Sequence, residues 1–303
     1  MTLNLGKLTV MPESGRILKL EPLPGLNVLW SNPASGPDAR GWLNPGGDRT
    51  WLSPERDLFL PDGSWKSYKV PAAIDPGKHE ILELSEQGIA LKNRIEARFF
   101  RQNACVGLTL TKRITETNPE APGVEASAGY DTELGLRADE PLPPNVFVSL
   151  WSLLQLPRGG RIFFKGARPL SYFGRPAWRD AGGGVRFMEV PATEDSFKVG
   201  IEAIESQGVM AYLNLSVEKP FLVVKKFEVR PGGRYCDAPM DMPDAPCVQQ
   251  MFSDNGDEGG FGELEHHSEA MAPGCVEISG RHSTMAFVAG RPALEKIMEA
   301  LFR

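Results

Sequence analysis

Residues 89–114 read IALKNRIEARFFRQNACVGLTLTKRI, and this stretch decides the fold class. Within it Ile95–Phe100 and Val106–Ile114 alternate apolar and polar side chains. Successive side chains of an extended strand point to opposite faces, so such alternation marks a half-buried strand. LTLTKRI, Leu108–Ile114, is the plainest case. The shorter runs Ile81–Leu84 and Ile89–Lys92 continue the series upstream. Short strands recurring about every 8–12 residues are the mark of antiparallel meanders.

Outward from this core the same pattern holds. Ile17–Leu20 and Leu26–Leu29 read as strands broken at Pro22–Gly25. Asn32–Gly41 and Asp57–Tyr68 read as loops, the second lined with aromatics. Thr132–Arg137 follows a connection rich in Pro, Gly and Ala. Asn145–Pro157 starts as a strand, and its middle fits either a strand or a helical turn. Arg161–Lys165, Val185–Glu189, Phe197–Ile201, Gly208–Leu215, Phe221–Val229, Cys247–Phe252 and Phe261–His267 are further strands, with a long loop at Pro231–Pro246. The tail RPALEKIMEALFR, Arg291–Arg303, is a helix: Leu294, Ile297, Met298 and Leu301 make one apolar stripe that docks on a sheet. Across the 303 residues, 32 glycines and 26 prolines are spread out, which favours many strands joined by turns. No repeat or linker divides the chain. The expectation is a single all-β domain over 1–303, a two-sheet sandwich with a short C-terminal helix.

The net charge of −6 argues against a nucleic-acid partner. No apolar run reaches the ~20 residues of a membrane span, and the N-terminus carries no signal-peptide pattern; a cytoplasmic protein is expected. Cys105, Cys236, Cys247 and Cys275 form no CxxC and have no histidine at ligand spacing. They are expected as buried free thiols rather than zinc ligands. A Cys236–Cys247 bridge across the loop has no support in the sequence. GxxxxGK[ST], GxGxxG before a helix and GxSxG are all absent, so neither a phosphate loop nor a serine elbow is present.

Two stretches carry chemistry. In FGELEHHS, Phe261–Ser268, strand alternation puts Glu263, Glu265 and His267 on one face, with Leu264 and His266 on the other. Carboxylates and an imidazole on one wall can move protons or hydrogen-bond a sugar; a solvated strand face has the same pattern. A metal is not expected, because side chains on one strand run parallel instead of converging. In LNPGGDRTWLSPE, Leu43–Glu55, the turn Asn44–Arg49 presents Asp48 and Arg49 beside Trp42 and Trp51. Gly46 and Gly47 permit positive φ there. An arginine held by a turn among indole rings suits polyhydroxyl or carboxylate recognition, and a plain hairpin over core tryptophans has the same pattern. Of the four histidines, His267 and His282 are the candidates for proton transfer.

Together these stretches resemble the galactose mutarotase-like superfamily, the aldose 1-epimerases and a divergent branch in which GGDR-x-W-x-x-PE and a late E-x-E-x-H recur. The resemblance implies a β-supersandwich of large antiparallel sheets. Arg49 takes the place of the sugar-binding arginine. Leu264–Ala270, LEHHSEA, matches the motif of the catalytic base in part, with Glu265 as the base and His267 where glutamine is usual. Trp151 and Ser152 stand where an aromatic–Asn pair is usual, but the histidine that should precede them is missing. His267 or His282 then has to supply the acid. The implied catalytic residues are Glu265, His267 and Glu263. The implied substrate contacts are Arg49, Asp48, Trp51, Asn44, Trp151 and His282. The implied activity is cofactor-free interconversion of sugar anomers by a monomer or homodimer whose partner is a small carbohydrate. The rivals are a non-catalytic carbohydrate-binding protein and a lyase or isomerase of acidic sugars, the last needing a basic residue such as Lys165.

Overall fold

Antiparallel strands with one apolar face each bury that face by stacking as sheets. A computed structural model describes residues 2–303 except 33–35, 38–40, 167, 176, 192–194 and 257. It contains two large antiparallel sheets. The first has nine strands in the order β1 (Leu3–Leu5), β2 (Leu8–Met11), β3 (Arg16–Leu20), β4 (Asp48–Ser53), β9 (Ser149–Leu156), β18 (Gly262–His267), β17 (Cys247–Ser253), β14 (Phe197–Glu202) and β11 (Leu170–Phe173). The second has ten, in the order β12 (Arg179–Gly182), β13 (Val185–Glu189), β10 (Arg161–Lys165), β15 (Val209–Asn214), β16 (Phe221–Phe227), β19 (Glu277–Val288), β8 (Ala126–Ala138), β7 (Ala104–Thr117), β6 (Gly88–Phe99) and β5 (Glu80–Leu84).

The core fills the space between the sheets. Val10, Ile17, Leu154, Leu264 and Met251 from the first sheet meet Leu91, Ile114, Tyr130, Phe164 and Val223 from the second. A second cluster joins Leu52 and Leu150 to Ile95, Leu108 and Leu110. The C-terminal helix α2 (Arg291–Leu301) buries Leu294 and Met298 against Val209, Ala211, Leu222 and Phe287 on the outer face of the ten-stranded sheet. Its apolar stripe thus docks as the spacing predicts. No helix among the described residues is long and apolar enough to cross a membrane.

The structure departs from the sequence reading in places. Leu26–Leu29 is not a strand: the Asn27 side-chain carbonyl accepts from both Leu20 N and Leu29 N at 3.1 Å and turns the chain there. The runs at 89–92 and 95–100 are one strand, β6. Glu55–Leu58 is a short helix, α1, which takes up the first two residues of the loop expected at Asp57–Tyr68. Asn145 has φ 65°, a turn conformation, so the strand begins only at Ser149, and from there to Leu156 it is wholly strand. β8 starts at Ala126, ahead of the expected Thr132. The 12-residue β19 has no counterpart among the strands expected from the sequence, yet it is paired on both sides, to β16 and β8. The four cysteines are free, but only Cys247 is buried; Cys236 is half-buried, and Cys105 and Cys275 are exposed.

Candidate active site

The middle of the nine-stranded sheet is a grid of side chains set by strand register. Arg49, Leu153 and Glu265 lie in one row across β4, β9 and β18. Trp51, Trp151 and His267 form the next row. Gln155, Glu263, Phe252 and Lys198 form a third, running out to β17 and β14. Each row is two residues from its neighbour, so all three share the sheet face turned away from the core. Over this floor lies a cleft of about 450 Å³. Its floor includes Arg49, Trp51, Trp151, Lys198, Glu263 and Glu265. Glu55 on α1 joins the wall, and Trp42, Trp65, Tyr68, Phe173, Phe252, Glu258 and Phe261 complete it.

The turn that delivers Arg49 is built as its glycines suggest. Gly46 and Gly47 have φ of 95° and 80°. A Cβ on Gly47 would sit 2.0 Å from Ile17 O, so the turn packs too closely on β3 for any side chain. Asn44 shapes this turn: its side-chain carbonyl accepts from Gly46 N at 3.2 Å. It is buried and does not line the cleft.

Charge in the cleft is tightly held. Arg49 Nη1 lies 2.9 Å from Glu263 Oε1, and both side chains are 6% exposed. Arg49 Nη1 and Glu263 Oε1 thus answer each other's charge, while Arg49 Nε has no hydrogen-bond partner among the described residues. The guanidinium lies 4.3 Å from the Trp51 ring centre and 5.6 Å from that of Trp42. Behind these indoles Asp75 accepts from Trp42 Nε1 at 3.1 Å and Trp51 Nε1 at 3.0 Å, and it also pairs with Arg16. This fixes the platform that orients Arg49.

Glu265 accepts from Trp151 Nε1 at 2.8 Å and from Lys198 Nζ at 3.0 Å. The same ammonium lies 3.5 Å from Glu55 Oε2 and 4.5 Å from the Trp151 ring centre. Burial pushes the Glu265 carboxyl up to about 7; Lys198 pulls it down, while Glu263 and Glu55 push it further up. Burial also raises Glu55, against the pull of Lys198. Burial alone would discharge Lys198, but Glu265 and Glu55 more than offset it and hold the ammonium charged.

The remaining expected residues lie elsewhere. Asp48 is a correction. It precedes Arg49 and therefore faces the core, where Tyr130 OH donates to it at 2.6 Å and Lys225 Nζ lies 3.2 Å away. Burial opposes its charge, yet Lys225, His282 and Lys112 hold the carboxyl well below its ordinary range. His282 is also a correction: it sits on β19 of the opposite sheet, 3.8 Å from Asp48, inside the same buried cluster. Burial and Lys225 depress it to about 4. His267 shares the cleft-side face but is recessed behind Trp151, stacked at 5.5 Å and 17°. Its Nδ1 lies 2.9 Å from Ser53 Oγ, and burial lowers it to about 4. His267 does not line the cleft, and neither does Lys165, which donates to Phe302 O.

Lys198, Glu55 and Asp75 are not among the site residues expected from the sequence, and the aromatics of 65–68 enter there only as the lining of a loop. A lysine inside the apolar run FKVGI is the one signal by which Lys198 could have been found. Asp237, which accepts from Glu55 N at 2.9 Å and Gln250 Nε2 at 2.6 Å, left no signal in its loop.

No protein-family model matches the chain, and no curated protein matches it in sequence. Solved structures do. A galactose mutarotase-like protein from Lactobacillus casei aligns with a TM-score of 0.53 at 8% identity, over 95% of this chain and 99% of that one. A galactose 1-epimerase from Lactobacillus acidophilus gives 0.53 at 11% identity, over 95% and 94%. A galactose mutarotase related enzyme from the same species gives 0.51 at 7%, over 95% and 96%. The chain has the galactose mutarotase-like fold, a β-supersandwich of two large antiparallel sheets.

Proposed function

We propose that the cleft binds a small carbohydrate and interconverts its anomers, with Glu265 as the base. The observation that carries this reading is the placement of Glu265: a carboxyl pushed up to about 7, on the floor of an aromatic-walled cleft beside Arg49, Trp51 and Trp151. A base tuned near neutral pH can both take and return a proton. Glu265 takes the proton of the anomeric hydroxyl as the C1–O1 bond becomes a carbonyl and the bond from C1 to the ring oxygen breaks. The ring oxygen accepts a proton. After rotation about C1–C2 it re-adds to the other face of C1, and the protons return.

The proton donor in this reading is Glu55. Burial raises it, it lines the cleft, and it shares Lys198 with Glu265. His267 and His282, both depressed to about 4 and both outside the cleft lining, are neutral at neutral pH and poorly suited to the task. Arg49 and the indoles of Trp51 and Trp151 hold the ring, and the reaction needs no cofactor.

One observation favours a second reading, simple carbohydrate binding: no described residue lining the cleft is a histidine. Saturation-transfer NMR against aldoses, with exchange between anomer signals followed in the same samples, separates the two. Catalysis predicts accelerated exchange that falls by about 10²–10⁴-fold in Glu265→Gln. Binding with no acceleration would select the second reading, and an absence of binding to any aldose would sink both.

A further inference from the structure

We propose that a second cavity, apart from the cleft, binds a small phosphate monoester between Arg56, Arg101 and Arg234. The cavity measures about 310 Å³, and all three arginines line it. α1 borders both spaces: Glu55 lines the cleft, while the next two residues, Arg56 and Asp57, line this cavity. No described residue lines both, so the cavity is a site of its own whatever the cleft binds.

Its charge calls for an anion. Three guanidinium groups meet one carboxylate, Asp57, in a chain whose net charge is −6. Asp57 is already engaged: Arg101 Nη1 lies 3.3 Å from its Oδ1, and Gln102 Nε2 donates to its Oδ2 at 2.7 Å. Arg56 and Arg234 have no carboxylate at ion-pair distance among the described residues. The cleft differs in this respect, since carboxylates answer both Arg49 and Lys198 there. Arg56 is half-buried, and its Nε is buried with no hydrogen-bond partner. Such a cation has given up part of its hydration without an acceptor in return, and a bound anion offsets that loss. Arg234 lies 5.6 Å from the centre of the Phe147 ring, which also lines the cavity. Stacking on an aromatic face holds the planar fork in place before a ligand arrives.

The number of forks selects the anion. A phosphate monoester presents three terminal oxygens and nearly two negative charges at neutral pH, whereas a carboxylate has two oxygens and one charge. Guanidinium groups bind such oxygens by short, charge-assisted hydrogen bonds. Phe147, Tyr235 and Pro54 supply apolar wall for the organic part of the ester. The volume lies at the lower end of small-molecule cavities, which limits the ligand to a small one.

Isothermal titration calorimetry of the full chain at neutral pH and low salt tests the proposal, with inorganic phosphate, phenyl phosphate and benzoate as probes. Phenyl phosphate should bind one to one and more tightly than benzoate, which carries the same ring on a carboxylate. Arg56→Gln and Arg234→Gln should each weaken it by about tenfold. Arg94→Gln, which removes an exposed arginine outside the cavity, should leave it unchanged. Circular dichroism of the variants checks that each is folded. Three results would overturn the proposal: no saturable binding of either phosphate, benzoate bound as tightly as phenyl phosphate, or an equal loss in Arg94→Gln. Binding lost in Arg49→Gln but kept in Arg56→Gln and Arg234→Gln would place the phosphate in the cleft and overturn it as well.

Discussion

Lys198 Nζ and Glu265 Oε2 lie 3.0 Å apart, and both side chains are almost wholly buried. Breaking a buried pair by removing one member strands the other charge, which destabilises by about 3–5 kcal/mol. Lys198→Met should show a loss of that order near pH 7 in urea unfolding. The stranded groups, Glu265 and Glu55, are carboxyls whose pKa is higher in the fold than in the unfolded chain. Such a group contributes most below its unfolded pKa and loses that contribution as pH rises through its folded value. The deficit of the variant should therefore shrink from about pH 8 to about pH 5. A deficit independent of pH would show that the lysine acts by packing alone.

The pH profile of anomer exchange follows from the same carboxyl. Glu265 is a base only when deprotonated, and its pKa lies at about 7. The rate at limiting substrate should rise through neutrality as Glu265 loses its proton and fall again at the pH where the donor, Glu55, loses its own. A profile already flat from about pH 5, the ordinary carboxylate range left behind, would exclude Glu265 as the base.

Arg49→Lys keeps the positive charge beside Glu263 but loses the planar stack on Trp51 and Trp42. Stacking and fixed geometry are what distinguish arginine here. Sugar affinity should fall by about tenfold with little change in unfolding midpoint. Unaltered affinity would mean that the guanidinium does not meet the ligand.

Asp48→Asn reverses that pattern. Asp48 has no place in the cleft, but it answers the charge of Lys225 inside the core. Its removal should destabilise the fold by about 3–5 kcal/mol, while the molecules that remain folded bind sugar as before. Equal loss of stability and of affinity per folded molecule would mean that the core cluster reaches the ligand.

The pairing of Glu263 with Glu265 was legible because strand period alone puts alternate residues on one face. Arg49 was legible because two consecutive glycines announce a tight turn. The face of Asp48 was not, since that depends on which residue leaves the turn first, and a shift of one residue inverts every side chain after it. β19 escaped notice because Ser279, Gly280 and Ser283 interrupt its apolar alternation with small residues; its place is secured by two partners, which no local pattern records. His267 shows a further gap. Its face was read correctly, but the bulk of Trp151, which screens it from the cleft, belongs to another strand. Lys198 and Glu55 meet Glu265 only through the order of strands in the sheet and the placement of α1.

The row that sets Arg49 and Glu265 on either side of Leu153 is held by the same pairings that turn Leu154 and Leu264 into the core. A slip of one residue in β4, β9 or β18 would exchange the cleft floor for the core face and expose the apolar set to water. A miswired site therefore has no stable fold to live in. Wherever a preparation loses activity without chemical damage to the cleft, the missing fraction should be found among unfolded or aggregated chains rather than among native ones.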